Sequence, residues 1–433
     1  MNFTGKKYAV VGLGRNGLPV AHALLARGAT VWVWDDKGVP PDPQAPSLEW
    51  HDPALGYEGF DALVLSPGIP HTLPYPHLAA VAARAAGIPI LSDAELLYQA
   101  EPAARFVGIT GTNGKSTTTA LVAHILVKSG MAAAAGGNLG TAALALPPVG
   151  DGVYVLEMSS YMLERLETLR FDVAVLLNLS PDHLDRHGTM AGYTAAKRHI
   201  FDRFGRAVVG TDDPDSAEIA RELGAVTISG EHHADVWCDA GMLMDQDGVL
   251  LAMADAPALP GAHNAQNAAA ATAVSQALGV DRRQIAAGLT SFAGLPHRQQ
   301  RVAMQDGVAW INDSKATNAD ATARALLCYA RVIWIAGGQA KAGGIEDLRP
   351  LLGRVLHAVL IGQDASVLAR TLDQAGVPYT LAVTLDYAVP IACDLARRLH
   401  AEAVLLSPAC ASFDQFTGFE ARGDHFADLV RAA

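Results

Sequence analysis

A glycine-rich stretch, "GITGTNGKSTTT" at residues 108–119, has the residue types of a phosphate-binding loop. It follows the apolar run "RFVGIT" and precedes "ALVAHILVKSG", whose apolar residues have helical spacing. A strand, a glycine-rich loop and a helix in this order surround a phosphate with backbone N–H groups. The spacing departs from the common phosphate-binding loop, because Ile109 stands where that motif has its first glycine.

Gly111 and Gly114 favour a loop whose backbone N–H groups face an anion. Lys115 can reach the β- and γ-phosphates of a nucleotide, and a hydroxyl of Ser116 or Thr117 can hold Mg²⁺. The alternative is a glycine-rich turn that contains a lysine by chance. Because strand, loop and helix occur together, we favour a nucleotide site formed by Gly111, Thr112, Asn113, Gly114, Lys115, Ser116 and Thr117.

Two other predicted strands end in possible metal ligands, Glu157 in "VLEMSS" and His183 in "LNLSPDHLDRHGT". A carboxylate fits Mg²⁺ best, and histidine is a less usual ligand for it. Glu157 could also be a solvated strand end. His183 competes with Asp182, Asp185 and His187, and Asp182 could cap a helix, so spacing alone leaves this choice open.

Lys197 and a pair of asparagines lie in predicted helices. Taken by itself, Lys197 in "GYTAAKRHIF" is typical of a surface lysine. His263, Asn264 and Asn267 in "HNAQNAAAA" stand where a loop becomes a helix. Their amides could read the edge of a base or cap the helix, and both alternatives remain open.

The N-terminal stretch "GLGRNG" matches a second phosphate-binding pattern through Gly12, Gly14 and Gly17. Asp35 and Asp36 end the next predicted strand, where a dinucleotide-binding fold has its ribose-binding acid. This pattern alone suggests NAD, but the turn suits any diphosphate. We find no group of residues downstream that suits hydride transfer.

The last third of the chain has polar side chains after its predicted strands. They are Asp313, Lys315 and Thr317 in "NDSKATN", Lys341 in "GGQAK", Ser412 in "SPACASFDQF" and, before them, Arg298. Three cations near strand ends suit an anionic substrate or a transition-state phosphate. Each charge taken singly is more typical of a solvated surface.

Short apolar strands alternate with helical patterns throughout the chain, which predicts the α/β class with parallel sheets. We expect three segments, residues 1–93, 94–296 and 297–433, with a boundary where Gly294 and Pro296 interrupt the helical pattern. In open α/β sheets, ligands bind at the carboxyl ends of the strands. All three segments therefore offer sites of the same geometric kind.

Composition limits the compartment and the partners. The 433 residues include 32 basic and 44 acidic ones, a net charge of −12 with no basic block, which argues against nucleic-acid or membrane binding. The four cysteines have no metal-binding spacing and are typical of reduced thiols. We find neither a signal peptide nor a transmembrane run, and expect a cytoplasmic protein.

Seven strings occur in one order along the chain: "GITGTNGKST", "LEMSS", "NLSPDHLDRHGT", "HNAQN", "LPHR", "NDSKATN" and "SPACASFDQF". Together they resemble the Mur ligases of peptidoglycan synthesis. The resemblance implies a UDP-substrate-binding Rossmann-like domain at 1–93, a P-loop-type ATPase domain at 94–296 and an amino-acid-binding Rossmann-like domain at 297–433. It also implies a cytoplasmic monomer that uses ATP and two Mg²⁺ ions.

The strings "NDSKATN" and "SPACASFDQF" are most typical of the family member that adds D-glutamate to UDP-N-acetylmuramoyl-L-alanine. The resemblance implies that ATP phosphorylates the alanine carboxylate and that the amine of D-glutamate attacks the acyl phosphate. The alternatives are a sibling ligase for another amino acid, folylpolyglutamate synthase, an NAD-dependent oxidoreductase with an ATP-binding appendage, and a nucleotide sensor without turnover.

The resemblance also assigns roles to residues, with Lys115, Glu157, His183, Lys197 and Arg298 as the catalytic set. The UDP-substrate would contact Gly14, Arg15, Asn16, Asp35, Asp36, Ser66, Gly68, Asn138, Ser159 and His183. ATP would contact residues 111–117, Asn264, Asn267, Arg298, Asp313 and Lys315. D-Glutamate would contact Thr317, Lys341, Ser412 and Phe419. Metal would be held by Ser116, Glu157, His183 and, if carbamylated, Lys197.

The chain departs from the family pattern in two places. Met162 stands where family members often have glutamine, which could alter local hydrogen bonding. The sequence "AGGIEDL" after Lys341 is not the usual acid-rich loop. This second departure concerns the predicted contacts with D-glutamate more than Lys341 itself.

Overall fold

A computed structural model describes residues 2–38, 47–138, 140–341 and 343–432. Their backbone forms three sheets flanked by helices, which confirms the predicted α/β class. Within the described residues, no helix is both long enough and apolar enough to span a membrane.

The first sheet is wholly parallel and lies in the segment predicted to bind a diphosphate. Its strands are β1 Lys7–Val11, β2 Thr30–Trp34, β3 Glu49–Trp50, β4 Ala62–Leu65 and β5 Ile90–Leu91. The helices are α1 Gly17–Ala26, α2 Leu78–Ala85 and α3 Asp93–Ala100, with a 3₁₀ turn at Pro53–Leu55. The order β3-β2-β1-β4-β5 puts β1 in the middle, so the loop after β1 lies between the ends of β2 and β4.

The second sheet has nine strands. They are β6 Arg105–Thr110, β7 Ala133–Gly137, β8 Val153–Glu157, β9 Phe171–Leu176, β10 Phe204–Gly210, β11 Val226–Ser229, β12 Val236–Asp239, β13 Met242–Asp245 and β14 Gly248–Ala252. Their order is β14-β13-β12-β11-β10-β9-β6-β8-β7, parallel from β7 to β12 and antiparallel beyond. Because β6 pairs with both β8 and β9, the phosphate loop lies between the ends of these two strands.

The helices of this region include the one that follows the phosphate loop. They are α4 Lys115–Lys128, α5 Ser160–Leu163, α6 Leu184–His187, α7 Met190–Arg198, α8 Pro214–Leu223, α9 Ala262–Ala277 and α10 Arg282–Ser291. Short 3₁₀ turns lie at Ala143–Ala145, His199–Phe201 and Met253–Asp255.

The third sheet is formed by the last part of the chain. Its strands are β15 Gln300–Gln305, β16 Val308–Asn312, β17 Val332–Gly337, β18 Val355–Ile361, β19 Tyr379–Val383 and β20 Ala403–Leu406. The helices are α11 Ala319–Leu327, α12 Ala365–Ala375, α13 Leu385–Leu399 and α14 Phe419–Ala432, with a 3₁₀ helix at Glu346–Arg354. The order β15-β16-β20-β17-β18-β19 is parallel except for the β15–β16 hairpin.

Contacts divide the chain into two compact units. The first comprises Met1–Asp255 and Asn264–Ser291 and holds the first two sheets; the second comprises Ala256–His263 and Phe292–Ala433 and holds the third. The division at Ser291 lies close to the boundary predicted near residue 296. Each unit has apolar clusters of its own, around Leu156 in the first and Trp334 in the second.

Candidate active site

The loop from Gly111 to Gly114 has the backbone conformation that the glycines predict. Gly111 has φ 146° and Gly114 has φ 83°, both in the region that favours glycine. A Cβ atom at Gly114 would collide with Oδ1 of Asn267. Asn178 O accepts from Thr112 N at 2.9 Å, and Asn178 Oδ1 accepts from Asn113 N at 2.9 Å. The end of β9 therefore holds the loop open around the start of α4.

The amino end of α4 suits an anion. Among the described residues, no side chain caps this helix, and its first turn contains no acid. Lys115 Nζ donates to the carbonyl oxygens of Gly111 and Thr112, both at 2.8 Å. Ser116 is buried at the helix start, and Thr117 is partly exposed. Unsatisfied N–H groups and the helix dipole attract phosphate at such a position.

Lys197 lies in the last turn of α7 and is only 2% exposed, so the surface alternative is wrong. Its Nζ donates to Gly111 O at 2.8 Å and to Thr110 Oγ1 at 3.3 Å. It also lies 4.7 Å from the centroid of the Tyr193 ring. Burial, followed by the nearby charge of Lys115, lowers the pKa of Lys197 well below its usual value. The amine is therefore shifted towards its neutral form.

Glu157 ends β8 beside the phosphate loop and is 3% exposed. Its Oε1 accepts from Asn138 Nδ2 at 2.8 Å, whereas its buried Oε2 has no hydrogen-bond partner in the part of the chain that the structure describes. An ionised carboxylate oxygen in this position requires a cation or a donor. A carboxylate oxygen of this kind is a ligand that Mg²⁺ prefers.

His183 is less closely associated with this group. It has φ 52°, its side chain is nearly half exposed, and its Nε2 lies 3.5 Å from Asp182 Oδ2. Among the described residues, no set of three or more His, Cys, Asp or Glu side chains is arranged as a metal site. His183 itself occupies the position before α6, so Asp182 is not the cap of that helix. The Nε2 atom of His187 lies 2.9 Å from Ser160 Oγ, so this nitrogen already has a hydrogen-bond partner.

The two asparagines of α9 are buried against α4. Asn267 Oδ1 accepts from Thr118 Oγ1 at 3.1 Å, and Asn267 Nδ2 donates to Asn264 Oδ1 at 3.0 Å. The amide of Asn267 thus joins α9 to the helix that follows the phosphate loop. Asn264 lies in the first turn of α9, at the same edge.

A pocket of about 520 Å³ opens at the carboxyl ends of β1, β2 and β4. Its lining includes eight predicted contacts of the UDP-substrate: Gly14, Arg15, Asn16, Asp35, Asp36, Ser66, Gly68 and Asn138. The other two predicted contacts, Ser159 and His183, do not line it. Ser159 Oγ instead accepts from Met162 N at the start of α5, and the Met162 side chain is buried in the apolar core.

Hydrogen bonds fix the walls of this pocket. Ser66 Oγ donates to Gly12 O at 2.6 Å, and Asp35 Oδ2 accepts from Leu13 N at 2.7 Å. Asp36 accepts from Trp34 Nε1 at 2.8 Å and contacts His77 Nε2 at 2.9 Å. The hydrogen bond with His77 is the main reason why the pKa of Asp36 is lowered.

Asn138 connects the pocket to the phosphate loop. It lines the pocket and donates to Glu157, while Glu157 pairs with Ile109 in the register of β6 and β8. A ligand that fills the pocket can therefore extend towards the carboxylate and the loop.

In the second unit, Asp313 is buried after β16. Its Oδ1 accepts from Gln299 N at 3.1 Å and its Oδ2 accepts from Ser407 Oγ at 2.8 Å. Burial raises the pKa of Asp313 to about 7, although the nearby Arg298 opposes the shift. A carboxyl group of this kind can exchange its protein partners for the hydroxyls of a ligand.

The other predicted residues of this unit lie around the ends of β16, β17 and β20. Lys315 Nζ stands 3.9 Å from the centroid of the Phe419 ring. Thr317 is partly exposed, Ser412 is buried and Lys341 is exposed. Ala342, the first residue of the unusual loop, lies outside the described residues.

Comparison with known proteins identifies the family. Residues 109–275 match the Mur ligase middle domain. The UDP-N-acetylmuramoylalanine–D-glutamate ligase of Paramagnetospirillum magneticum is 50% identical over 99% of this chain and 97% of that protein. The ligase of the same name from Rhodospirillum rubrum is 48% identical over 99% of this chain and 95% of that protein. The chain belongs to the Mur ligase family.

Solved structures have the same fold at low sequence identity. UDP-N-acetylmuramate-alanine ligase MurC from Thermotoga maritima superposes with a TM-score of 0.63 and 18% identity, covering 99% of both chains. MurF from Acinetobacter baumannii gives 0.59 and 20% identity over 87% of this chain and 92% of that one. Membership of the Mur ligases, supported over the full length, removes the case for an oxidoreductase that rested on "GLGRNG" alone.

Sequence reasoning missed several residues of this Mur ligase that hold the site together. Arg422 of α14 is buried and donates to Ser314 Oγ at 2.9 Å, to Ser314 O at 2.8 Å and to Cys410 O at 3.2 Å. It thereby joins the loops after β16 and β20. The string "FEARGDHF" contains no local signal for this role, because an arginine on a helix is usually exposed.

Proposed function

We propose that this Mur ligase joins D-glutamate to UDP-N-acetylmuramoyl-L-alanine, with ATP converted to ADP and phosphate, as a step of peptidoglycan precursor synthesis. The ligases of that name match at about half identity over almost the whole chain. The observation that carries the proposal is the contact between Asn138 and Glu157 at 2.8 Å, which links a nucleotide-sized pocket to a phosphate-binding loop.

The UDP-substrate binds with its diphosphate at the turn after β1 and its uracil near Asp35 and Asp36. The turn offers the backbone of Gly14, Arg15 and Asn16, and the guanidinium of Arg15 can offset phosphate charge. Ser66 and Gly68 form the opposite wall. The muramoyl-alanine end then extends past Asn138 towards Glu157.

ATP binds with its phosphates on residues 111–117 and the start of α4. Lys115 leaves the carbonyl oxygens it now contacts and turns to the β- and γ-phosphates. We propose contacts with adenine for Asn264 and Asn267, and contacts with ATP for Arg298, Asp313 and Lys315. These residue roles follow the resemblance to the family.

The end of β8 fits Mg²⁺, because the buried Oε2 of Glu157 has no partner among the described residues and carboxylate oxygens are ligands that Mg²⁺ prefers. We propose that Ser116, Glu157, His183 and carbamylated Lys197 hold two ions. Bound there, Mg²⁺ would neutralise charge on the transferring phosphoryl group.

In the first chemical step, an oxygen of the alanine carboxylate attacks the γ-phosphorus. The bond between that phosphorus and the bridging oxygen of ADP breaks, which leaves an acyl phosphate. Lys115 stabilises the charge on the phosphoryl oxygens, and Asn138 orients Glu157 beside them. A free carboxylate has no good leaving group, so this step makes amide formation possible.

In the second step, the neutral amine of D-glutamate attacks the acyl carbon. The tetrahedral intermediate loses phosphate and a proton, and an amide remains. We propose that Thr317, Lys341, Ser412 and Phe419 hold the amino acid, with the ammonium group of Lys341 paired with one of its carboxylates. Exclusion of water protects the acyl phosphate from hydrolysis.

The deciding experiment measures phosphate release from ATP by the purified protein with Mg²⁺ and UDP-N-acetylmuramoyl-L-alanine. Parallel reactions contain D-glutamate, L-glutamate, lysine, diaminopimelate or no amino acid. We expect release only with D-glutamate, no release with EDTA, and a loss of at least about 100-fold in Lys115→Ala. Release with another amino acid would assign the chain to a sibling reaction, and no release in any mixture would refute the ligase activity.

The acyl phosphate has a separate test. ATP labelled with ¹⁸O in the β,γ-bridge should scramble its label into non-bridging positions when the UDP-substrate is present and D-glutamate is absent. Omission of the UDP-substrate is the control. Turnover with D-glutamate but without scrambling in its absence would contradict a reversible first step.

We further propose that the enzyme works in the cytoplasm as a monomer. Analytical ultracentrifugation can check the oligomeric state.

A further inference from the structure

Arg165 follows α5 and is only 3% exposed, yet its guanidinium reaches into the loop after β4. Nη1 donates to Leu65 O at 2.8 Å and to Ser66 O at 3.4 Å, and Nη2 donates to Ile69 O at 2.5 Å. Nε donates to His71 Nδ1 at 3.2 Å. One side chain from the segment of the phosphate loop thus binds four acceptors between residues 65 and 71 of the other segment, and two of them, Ser66 O and Ile69 O, belong to residues that line the pocket.

The acceptors matter because residues 66–69 form a wall of the 520 Å³ pocket. A carbonyl oxygen carries negative partial charge and would repel a diphosphate. The oxygens of Leu65, Ser66 and Ile69 are held by Arg165 instead. The Ser66 hydroxyl is in turn placed against Gly12 O, at the turn where the diphosphate is proposed to bind.

The neighbouring side chains determine which nitrogen of His71 carries the proton and offset the charge of Arg165. A guanidinium only donates, so His71 accepts through Nδ1 and carries its proton on Nε2. That Nε2 lies 3.9 Å from Glu164 Oε2, and the same oxygen accepts from Arg186 Nη2 at 2.8 Å. Glu164 therefore supplies the negative charge that a buried arginine requires.

Two more arginines hold the residues that follow. Arg84 Nη2 donates to His71 O at 2.6 Å, and Arg186 Nη2 lies 3.3 Å from Thr72 Oγ1. Within the described residues neither of them contacts residues 66–69, so Arg165 is the one of these three arginines that holds the pocket wall.

We propose that Arg165 is a positioning residue for the UDP-substrate, which holds the loop of residues 65–71 in the conformation that accepts the nucleotide. The inference rests on the proposed function for the identity of the ligand. Arg165 touches no reacting atom and acts through the loop. Its loss should weaken binding at the pocket of the first sheet and leave the ATP site largely intact.

Arg165→Lys tests this directly, because lysine keeps the charge but lacks the planar fork that reaches several carbonyl oxygens. The control is Arg203→Lys, in which an exposed arginine also donates to a backbone oxygen, Glu167 O at 3.0 Å. Calorimetry measures the Kd of UDP, and steady-state assays measure KM for each of the three substrates. Circular dichroism records the melting temperature of every variant.

We expect Arg165→Lys to raise the Kd of UDP and the KM of the UDP-substrate by about ten-fold. The KM of ATP and of D-glutamate should stay within about two-fold of the wild type, and Arg203→Lys should resemble the wild type. An unchanged Kd for UDP, or an equal rise in all three KM values, would overturn the inference.

A second variant covers the case in which Arg165→Lys does not fold. His71→Leu removes the acceptor of Nε and leaves the contacts of both terminal nitrogens. It should raise the Kd of UDP by about three-fold, and an unchanged Kd would again count against the inference. If the wild type binds UDP but does not use D-glutamate, the proposed reaction fails while the role of Arg165 is still decided. If the wild type does not bind UDP, the inference falls.

Discussion

A buried ammonium group is unfavourable next to a second cation, and Lys197, with 2% of its surface exposed, lies near the partly exposed Lys115. The lowered pKa of Lys197 produces the neutral amine, which is the form that reacts with CO₂. A carbamate would turn this cation into an anion beside Glu157 and relieve the repulsion. The environment of Lys197 therefore favours the proposed carbamylation.

Lys197→Ala should lose at least about 100-fold in kcat, because it removes an anionic group from the phosphoryl-transfer site. Lys128→Ala, in the last turn of α4, is the exposed control. Native mass spectrometry of the wild type with bicarbonate should show one added CO₂ that is absent from Lys197→Ala. Full activity of Lys197→Ala would contradict the proposed role of Lys197.

At the scale of elements, buried ionisable groups hold neighbouring loops together in both units. In the first unit, His187 of α6 contacts Ser160 of α5 and lies 3.5 Å from Glu164. In the second, Asp313 joins the end of β16 to Ser407 after β20. The pKa of His187 is lowered and the pKa of Asp313 is raised, so the stabilities of the two units should respond differently to pH.

Burial lowers the pKa of His187 to about 4, with the charge of Arg186 as the next cause. Its contribution to stability is present above about pH 6.5, the pKa of an unfolded histidine, and is lost as the pH falls towards 4. The free energy of unfolding should fall by up to about 1.4 kcal/mol per pH unit in this range. Urea unfolding measures this pH dependence. His187→Gln should reduce it, whereas His199→Gln, at an exposed histidine, should retain it. Equal pH dependence in the wild type and both variants would contradict the prediction.

For Asp313 the raised pKa of about 7 reverses the direction. An unfolded aspartate ionises near pH 4, so the second unit should lose stability as the pH rises from about 4 to about 7 and then level off. Asp313→Asn should remove most of this slope, whereas the exposed Asp320→Asn should retain it. The measurement is urea unfolding at each pH, followed with a probe in the second unit. A wild-type free energy of unfolding that does not change with pH would contradict the burial of the Asp313 carboxyl.

At the scale of the whole molecule, the two units have separate cores, and the predicted ligand pockets are divided between them. The UDP pocket and the phosphate loop belong to the first unit. The residues assigned to D-glutamate belong to the second. Ligands should therefore stabilise the units selectively.

Differential scanning calorimetry should resolve two unfolding transitions. UDP at about 100 times its Kd should stabilise the first unit by about 2.7 kcal/mol and leave the second transition in place. Cytidine diphosphate is the control nucleotide. A single transition with equal calorimetric and van't Hoff enthalpies, shifted as a whole by UDP, would show that the chain unfolds as one unit.

The sequence by itself determined the features that are local in the chain. Residues 111–117 are continuous in the chain and form the loop and the first turn of α4, so their types predicted the phosphate loop even though Ile109 breaks the usual spacing. The alternation of strands and helices predicted the α/β class. The pocket residues near Gly14, Asp35 and Ser66 could also be predicted, because each directly follows a strand of one parallel sheet.

Only the tertiary structure decided which side chains are buried and what they contact. Lys197, Arg165 and Arg422 all resemble surface residues in the sequence, and their partners lie far away along the chain. Strand order brings these partners together, and strand order depends on how whole elements pack. The spacing of residues encodes the local backbone, whereas burial and the pKa values that follow from it arise from the assembled sheets.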